Sequence, residues 1–395
     1  MLRAYLVSRW GEDPWARGSW SLIGRGGSPQ DRRALGLPVG GRLRLAGEAT
    51  HPARAGMTHG AYEQGLEAAA WAAGLGHGRV AVIGAGMAGL AAARRLRDLG
   101  VHTEIWEARD RLGGRAAGID LDGACFDLGA NWLQQYAHNA LARIAEAAGL
   151  RTAPTDFADP LILTGAPPPA GAEAAVRERL AAAPAGAAVA DALGPLLADE
   201  GIRRYVDAEI VMDSGAPLTW LSARHGFEPG VGEGDRWIVG SYRLLVDHLA
   251  EGLTVHLSRP VPRLTVTGDG VHFLDQHADA AIVTAPVGVL AGGGITFDPP
   301  LPAAHREALG RLGMGRVEKV VLRFTDRFWP PAVSGYYRVH GPGPGSISEW
   351  LDATATDGVP TMVGLVAGPW LDELWAGSDA EVAGRAAALL TGACG

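Results

Sequence analysis

Residues 79–90 read RVAVIGAGMAGL and set Gly84, Gly86 and Gly89 at the spacing GxGxxG. Such a segment does chemistry without a reactive side chain. The first glycine permits a tight turn, the second lets backbone approach a pyrophosphate, and the third lets the next helix pack closely on the strand. The helix start then offers N–H groups and a positive dipole end to phosphates. About 20 residues on, Glu107 stands where an acid accepts hydrogen bonds from ribose hydroxyls. A second candidate is compositional. The chain has 35 Lys plus Arg, and Lys319 is the single lysine among them. Arginine cannot replace lysine where a compact ammonium or a shiftable pKa is needed. Chance survival of one lysine in a strand is the competing reading.

These residues need elements to hold them. Val80 to Ile83 form an apolar run of the kind that makes a buried parallel strand. Ala91 to Leu99 continue as a helix, and Gly100 follows as its terminating residue. His102 to Trp106 read as the next strand, ending at Glu107. Strand, glycine turn, helix, strand and acid in this order predict a Rossmann-like dinucleotide-binding unit. Further along, the pattern predicts a helix from Gly60 to about Ala73, a short strand over Leu253–Leu257 and a helix near Glu381–Leu390.

Composition bounds the rest. A chain of 395 residues favours two lobes over one core. At 47% hydrophobic and 20% charged it reads as globular and not disordered. No apolar run reaches the ~18 residues of a membrane span. The opening MLRAYLVSRWGEDPW lacks the pattern of a secretory signal. Cys125 and Cys394 give neither metal spacing nor a disulfide framework, which fits the cytoplasm, and Cys394 is expected to fray. A net charge of −8 argues against a nucleic-acid partner and suits a cationic substrate. No Ser-His-Asp or metal constellation stands out, and His51, His59 and His138 read as surface or core residues.

After Glu107 come Arg109 and the run Arg111-Leu112-Gly113-Gly114-Arg115. This resembles the E-x-R-x-R-x-GGR segment of the flavin amine oxidases and related FAD-binding oxidoreductases. Phe126 to Trp132, FDLGANW, resembles the stretch near the flavin in polyamine-oxidase-like members. The resemblance implies FAD, with Glu107 on the adenosine ribose. Arg115 with Gly129, Ala130, Asn131 and Trp132 would line the flavin. Arg109 and Gly114 join the cofactor-binding set, as does Val261, which falls where members touch adenine through backbone.

The opening residues resemble the family's closing motifs. Arg9–Pro14 and Ala16–Ser21 resemble "tRW..DP...GSYS", Leu45–Thr50 resembles "FAGEAT", and Gly56–Gly65 resembles "GTVHGA..SG". Residues 295–329 resemble "F.PPLP…lg.G.v.Kv.l.F...FW", and in ordinary members the tRW motif would come after the stretch that here runs on through Trp370 to Gly395. The resemblance thus implies a circularly permuted member. Its old ends would be joined by Gly74–Gly78, a linker of at most roughly 17 Å. Glu48, with Gly47 beside it, would hydrogen-bond the ribityl or pyrophosphate region. Met57 and Thr58 would open a helix toward the flavin pyrimidine oxygen.

Lys319 lies in GRVEK, where the family lysine holds a water beside flavin N5. Trp20 falls where relatives place one wall of an aromatic cage, and Met57 replaces the opposite aromatic. Ser19 replaces the cysteine that bonds the flavin in some relatives, which implies noncovalent FAD. Gln134 replaces an acid of some polyamine oxidases, which weakens a polyamine as substrate. The expected reaction takes a hydride from the α-carbon of an amine or amino-acid-derived substrate and reduces O2 to H2O2. The alternatives are an FAD dehydrogenase or desaturase of a non-amine biosynthetic intermediate, and a flavin-binding protein without turnover. The expected fold is α/β, with FAD segments 1–70, 79–132 and 236–294, a linker over 71–78, and a mixed-sheet substrate domain from 133–235 and 295–395.

Overall fold

The structure, a computed structural model, describes residues 1–227, 234–340, 347–368 and 370–395. The chain divides into two compact units. One comprises Glu12–Ala117 and Arg243–Met314; the other comprises Met1–Gly11, Gly118–Tyr242 and Gly315–Gly395. They are called here the glycine-loop unit and the lysine unit.

The glycine-loop unit is built on a five-stranded sheet in the order Val255–His256, His102–Trp106, Arg79–Ile83, Ala280–Val283, Leu43–Leu45. All its pairings are parallel. Ala280–Val283 is buried at every position, as a parallel strand covered on both faces must be. The helices Thr58–Gly74 and Met87–Asp98 pack together through small residues. A Cβ on Gly65 would fall closer than 3.0 Å to the Ala88 carbonyl, so the two backbones touch there. The second helix begins at Met87, before the expected apolar run, because Gly86 is already its N-cap. Gly100 takes φ +76° at its end, as its position implied. The strand expected over Leu253–Leu257 shrinks to Val255–His256, which alone pairs with Ile105 and Trp106. Ser258 then turns the chain with φ +54°.

In the lysine unit, six strands form a mixed sheet among the described residues. Their order is Leu2–Val7, Val317–Phe324, Thr361–Ala367, Glu349–Asp352, Tyr336–His340, Leu161–Gly165. Only the last pairing is parallel. Val317–Phe324 is buried throughout. One face of the sheet packs Val320, Leu322, Trp350 and Val366 against Val382, Ala386 and Leu390 of the helix Asp379–Cys394. That helix starts at a capping box between Ser378 and Glu381 and runs to Cys394. Cys394 is therefore helical and packed on the core, not frayed, and burial pushes its thiol pKa up.

Four segments lie in a different unit from the one expected, each held there by strand pairing. Residues 1–11 belong with the lysine because Leu2–Val7 pairs with Val317–Phe324. Residues 118–132 and 236–242 also belong there. Arg236–Ile238 pairs with Trp132–Leu133, and buried Asp127 accepts from Ser241 Oγ at 2.6 Å and Tyr242 N at 2.9 Å. Residues 295–314 fall in the other unit, where Thr296–Asp298 pairs with Arg263–Val266 and Leu312–Met314 pairs with Ser21–Ile23.

The contact at Gly65 gives a direct test. Gly65→Ala should destabilise the protein by about 2 kcal/mol, since backbone must move to admit the methyl. Gly74→Ala, with nothing within 4 Å of the new Cβ, should leave stability unchanged or slightly higher. Chemical denaturation followed by circular dichroism compares the two; equal losses would contradict the packing described.

Candidate functional site

In the glycine-loop unit the singled-out residues converge on the carboxyl edge of the parallel sheet, where open α/β sheets bind ligands. Gly84 follows Ile83, Glu107 follows Trp106, Thr284 follows Val283, and Gly47 and Glu48 come after Leu45 and Ala46. From Arg79–Ile83 the strand order runs one way to His102–Trp106 and the other way to Ala280–Val283, so the glycine loop sits at the topological switch point. Gly84 has φ +108°, and a Cβ on Gly89 would collide with the Gly84 carbonyl. A Cβ on Gly86 would meet nothing within 4 Å, so this backbone is open to a close approach. The RLGGR loop lies alongside: Gly113 N donates to Ala85 O at 2.9 Å, and Gly114 takes φ +57°.

Glu107 is buried. Its Oε2 accepts from Ala85 N at 2.7 Å and its Oε1 from Arg109 N at 2.8 Å. Each oxygen can accept a further hydrogen bond. The Arg109 guanidinium grips Asp13 with both ends, at 2.6 and 2.9 Å. Val261 has its side chain in the apolar core, which leaves only its backbone for a ligand.

Glu48 is buried among protein donors. Its Oε1 accepts from Arg115 Nη1 at 2.8 Å and Ser21 N at 3.3 Å. Its Oε2 accepts from Ser21 Oγ at 2.5 Å and Gly56 N at 2.8 Å. A carboxylate offers about four lone-pair sites, and protein donors occupy them here. Through these contacts Glu48 fixes Arg115, the Ser21 segment and the Gly56 turn. Burial by itself would raise its pKa; the charges of Arg115 and Arg32 and the Ser21 hydroxyl outweigh that and hold it below the ordinary value. Half-buried Trp20 lies against Gly56, 3.5 Å from where a Cβ would be. Met57 is buried and is the N-cap of Thr58–Gly74, with no side-chain cap bond.

In the lysine unit Lys319 meets the residues of the GANW segment. Its Nζ donates to Gly129 O and to Asn131 Oδ1, and lies 5.3 Å from the Trp132 ring centroid. Lys319 and Asn131 are both buried. Burial pushes the lysine pKa down to about 8, against the opposing charges of Asp127 and Glu349.

Sequence reasoning missed several neighbours. Glu318, fully buried, accepts from Trp10 N at 2.8 Å, Gly11 N at 2.9 Å and Ser8 Oγ at 2.5 Å. The RWGE segment is thereby tied to the lysine strand. Lys319 is in register with Leu365, Leu365 with Glu349, and Glu349 with Arg338, so these side chains share one face. On that unit Arg338 pairs with Glu349 at 3.2 Å and with Glu209 at 3.4 Å. Desolvation raises the pKa of Asp213 to about 8, helped by Glu349 and Glu209. Trp132 meets Phe157 edge-on at 5.2 Å, and Phe157 meets Tyr336 at 4.8 Å. Register across a sheet carries no local sequence signal, which is why this wall was not legible.

The family model of the flavin containing amine oxidoreductases matches residues 3–72, 87–231 and 223–395. The chain belongs to that family. Its cofactor is FAD. The open backbone at Gly86, the ribose-ready Glu107 and the glycine-lined carboxyl edge fit that group. Among relatives, lysine-specific histone demethylase 1B of Mus musculus is 28% identical over 296 residues, covering 65% of this chain and 36% of that protein. Polyamine oxidase 4 of Oryza sativa subsp. japonica is 27% identical over 345 residues, covering 76% and 70%. Cyclohexylamine oxidase from Brevibacterium oxydans IH-35A superposes with a TM-score of 0.67 at 25% identity, covering 81% of this chain and 82% of that one. The chain spans about 36 to 41% of the histone demethylases it matches first.

A single lysine makes its titration observable. With lysine labelled at Cε, NMR should show one side-chain signal with a midpoint near 8. Asp127→Asn should move the midpoint lower, since the Asp127 charge favours the ammonium. The folded value lies below the unfolded one, so between them the unfolded chain binds more protons. This group then makes stability rise with pH through that window. A midpoint at the ordinary lysine value would contradict the buried site.

Proposed function

We propose that the protein is an FAD-dependent oxidase of small amines or amino-acid-derived amines, with O2 as acceptor. The observation that carries this reading is Lys319, the chain's single lysine, buried with its ammonium on Gly129 and Asn131. FAD bound there would supply the two-electron redox chemistry that turns an amine and O2 into an imine and H2O2, the two hydrogens lost from the amine ending on the peroxide. The Lys319 ammonium orders water or oxygen and stabilises developing negative charge. Glu107 holds the ribose, and Gly84, Gly86 and Gly89 admit the pyrophosphate. Arg109, Gly114, Val261 and Thr58 complete the cofactor contacts. Glu48 positions Arg115, and Trp20 gives the amine aromatic surface.

Ser19 in place of a cysteine supports noncovalent FAD. The motifs at residues 9–21, 45–50 and 56–65, which resemble the family's closing motifs, support the permuted order. No helix among the described residues is long and apolar enough to cross a membrane. Two free cysteines among them support a cytoplasmic setting. Met57, standing where an aromatic cage would have its second wall, favours one further reading, a dehydrogenase of a non-amine intermediate.

Yellow purified protein mixed with an amine panel in air should release peroxide. Anaerobic bleaching by a non-amine, with no peroxide from any amine, would instead support the dehydrogenase. Acid precipitation should leave all flavin in the supernatant. Lys319→Met should slow reoxidation or reduction by roughly tenfold or more while FAD stays bound. Rates equal to the parent's in both half-reactions would defeat the lysine assignment.

A further inference from the structure

We propose that Asp269, His272 and His277 form a surface site for a first-row divalent cation of the zinc type. The three residues lie on an exposed hairpin of the glycine-loop unit, and their ligating atoms all fall within 4.8 Å of one another. His272 on Val271–Phe273 stands directly opposite His277 on Gln276–Ala278, with ring centroids 4.7 Å apart. Asp269, in the turn before the first strand, brings Oδ1 to 3.5 Å from His272 Nε2. Donors around a tetrahedral zinc sit about 3.3 Å apart, given bonds of about 2.0 to 2.1 Å. One edge of the polyhedron is thus nearly formed, and rotation of exposed side chains closes the others.

Local geometry holds the donors. Thr267 Oγ1 donates to Asp269 Oδ1 at 2.5 Å, which orients the carboxylate. The His277 ring lies over Gly270, where a Cβ would come closer than 3.0 Å to its Nε2. Gly270 therefore leaves room for the imidazole to face His272. The donor set decides the ion. Two imidazoles and one carboxylate suit zinc, nickel or copper, whereas calcium and magnesium want shells of oxygens. Three protein ligands leave a fourth position for water.

A bound ion would clamp the two strands together. Their inner side chains Val271, Phe273 and Ala278 belong to the core that holds Trp106 and Val261, and Phe273 meets Trp106 edge-on at 4.8 Å. Ion binding to the folded state would add to stability by mass action.

The test uses tag-free, FAD-loaded protein stripped with a chelator and titrated with zinc by calorimetry. One equivalent should bind in the micromolar range, and zinc should raise the melting temperature. His272→Ala and His277→Ala should each weaken binding by roughly tenfold or more, and Asp269→Asn by less. Flavin absorbance should stay as in the parent, which shows that the variants are folded. Calcium should not compete. Absence of binding at millimolar zinc, or parent-like binding by the His272→Ala, His277→Ala double variant, would overturn the site.

Discussion

A strand buried on both faces must also have both edges paired, because an N–H or C=O left without a partner away from water is costly. Val317–Phe324, which carries Lys319, meets this requirement with Thr361–Ala367 on one side and the N-terminal Leu2–Val7 on the other. The first residues of the chain are thus structural neighbours of residues more than three hundred positions later. The attachment continues past the strand. Ser8 N donates to Lys319 O at 2.9 Å, and Lys319 N donates to Ser8 Oγ at 2.7 Å. Glu318 then collects Ser8, Trp10 and Gly11 on the other face. Alternation along the strand sends the acid to one face and the lysine to the other.

Burying an ammonium raises the same demand in a stronger form. Lys319 finds carbonyl oxygens on Gly129 and Asn131, and its pKa still falls because desolvation exceeds the help from Asp127 and Glu349. A lysine poised near neutrality can exchange its proton with bound water, which a guanidinium cannot do. The Glu48 node of the glycine-loop unit shows the opposite balance. There Arg115, Arg32 and Ser21 outweigh burial and keep the carboxylate charged. Removing one partner of such a buried network costs more than the pair contributes, because the other charge is left without compensation.

The carboxyl edge of the parallel sheet follows the logic of close backbone approach. Gly84, Gly89, Gly113 and Gly114 are each confined by a positive φ or by a neighbouring carbonyl, while Gly86 is open. The first four shape the loops, and the fifth leaves open space beside the backbone. Segments near residues 45, 84, 107 and 284 reach this edge from distant parts of the chain.

What the sequence determined by itself were the local patterns: the glycine loop with its acid, the helix ended by Gly100, and the solitary lysine within GRVEK. Each is written in adjacent residues, since turns, caps and buried strands depend on short-range sterics and periodicity. Only the tertiary structure decided which partners these residues meet. Asn131 and Gly129 reach Lys319 across 188 and 190 positions, and Arg338 and Glu349 share its face through strand register. Glu48 meets Ser21, Gly56 and Arg115, three partners from separate segments that its own motif does not name. Residues 1–11 and 295–314 changed units because β-pairing answers to open edges and not to position in the chain. Pairing and charge compensation are settled by whichever segments fold beside one another, and a one-dimensional pattern does not record that.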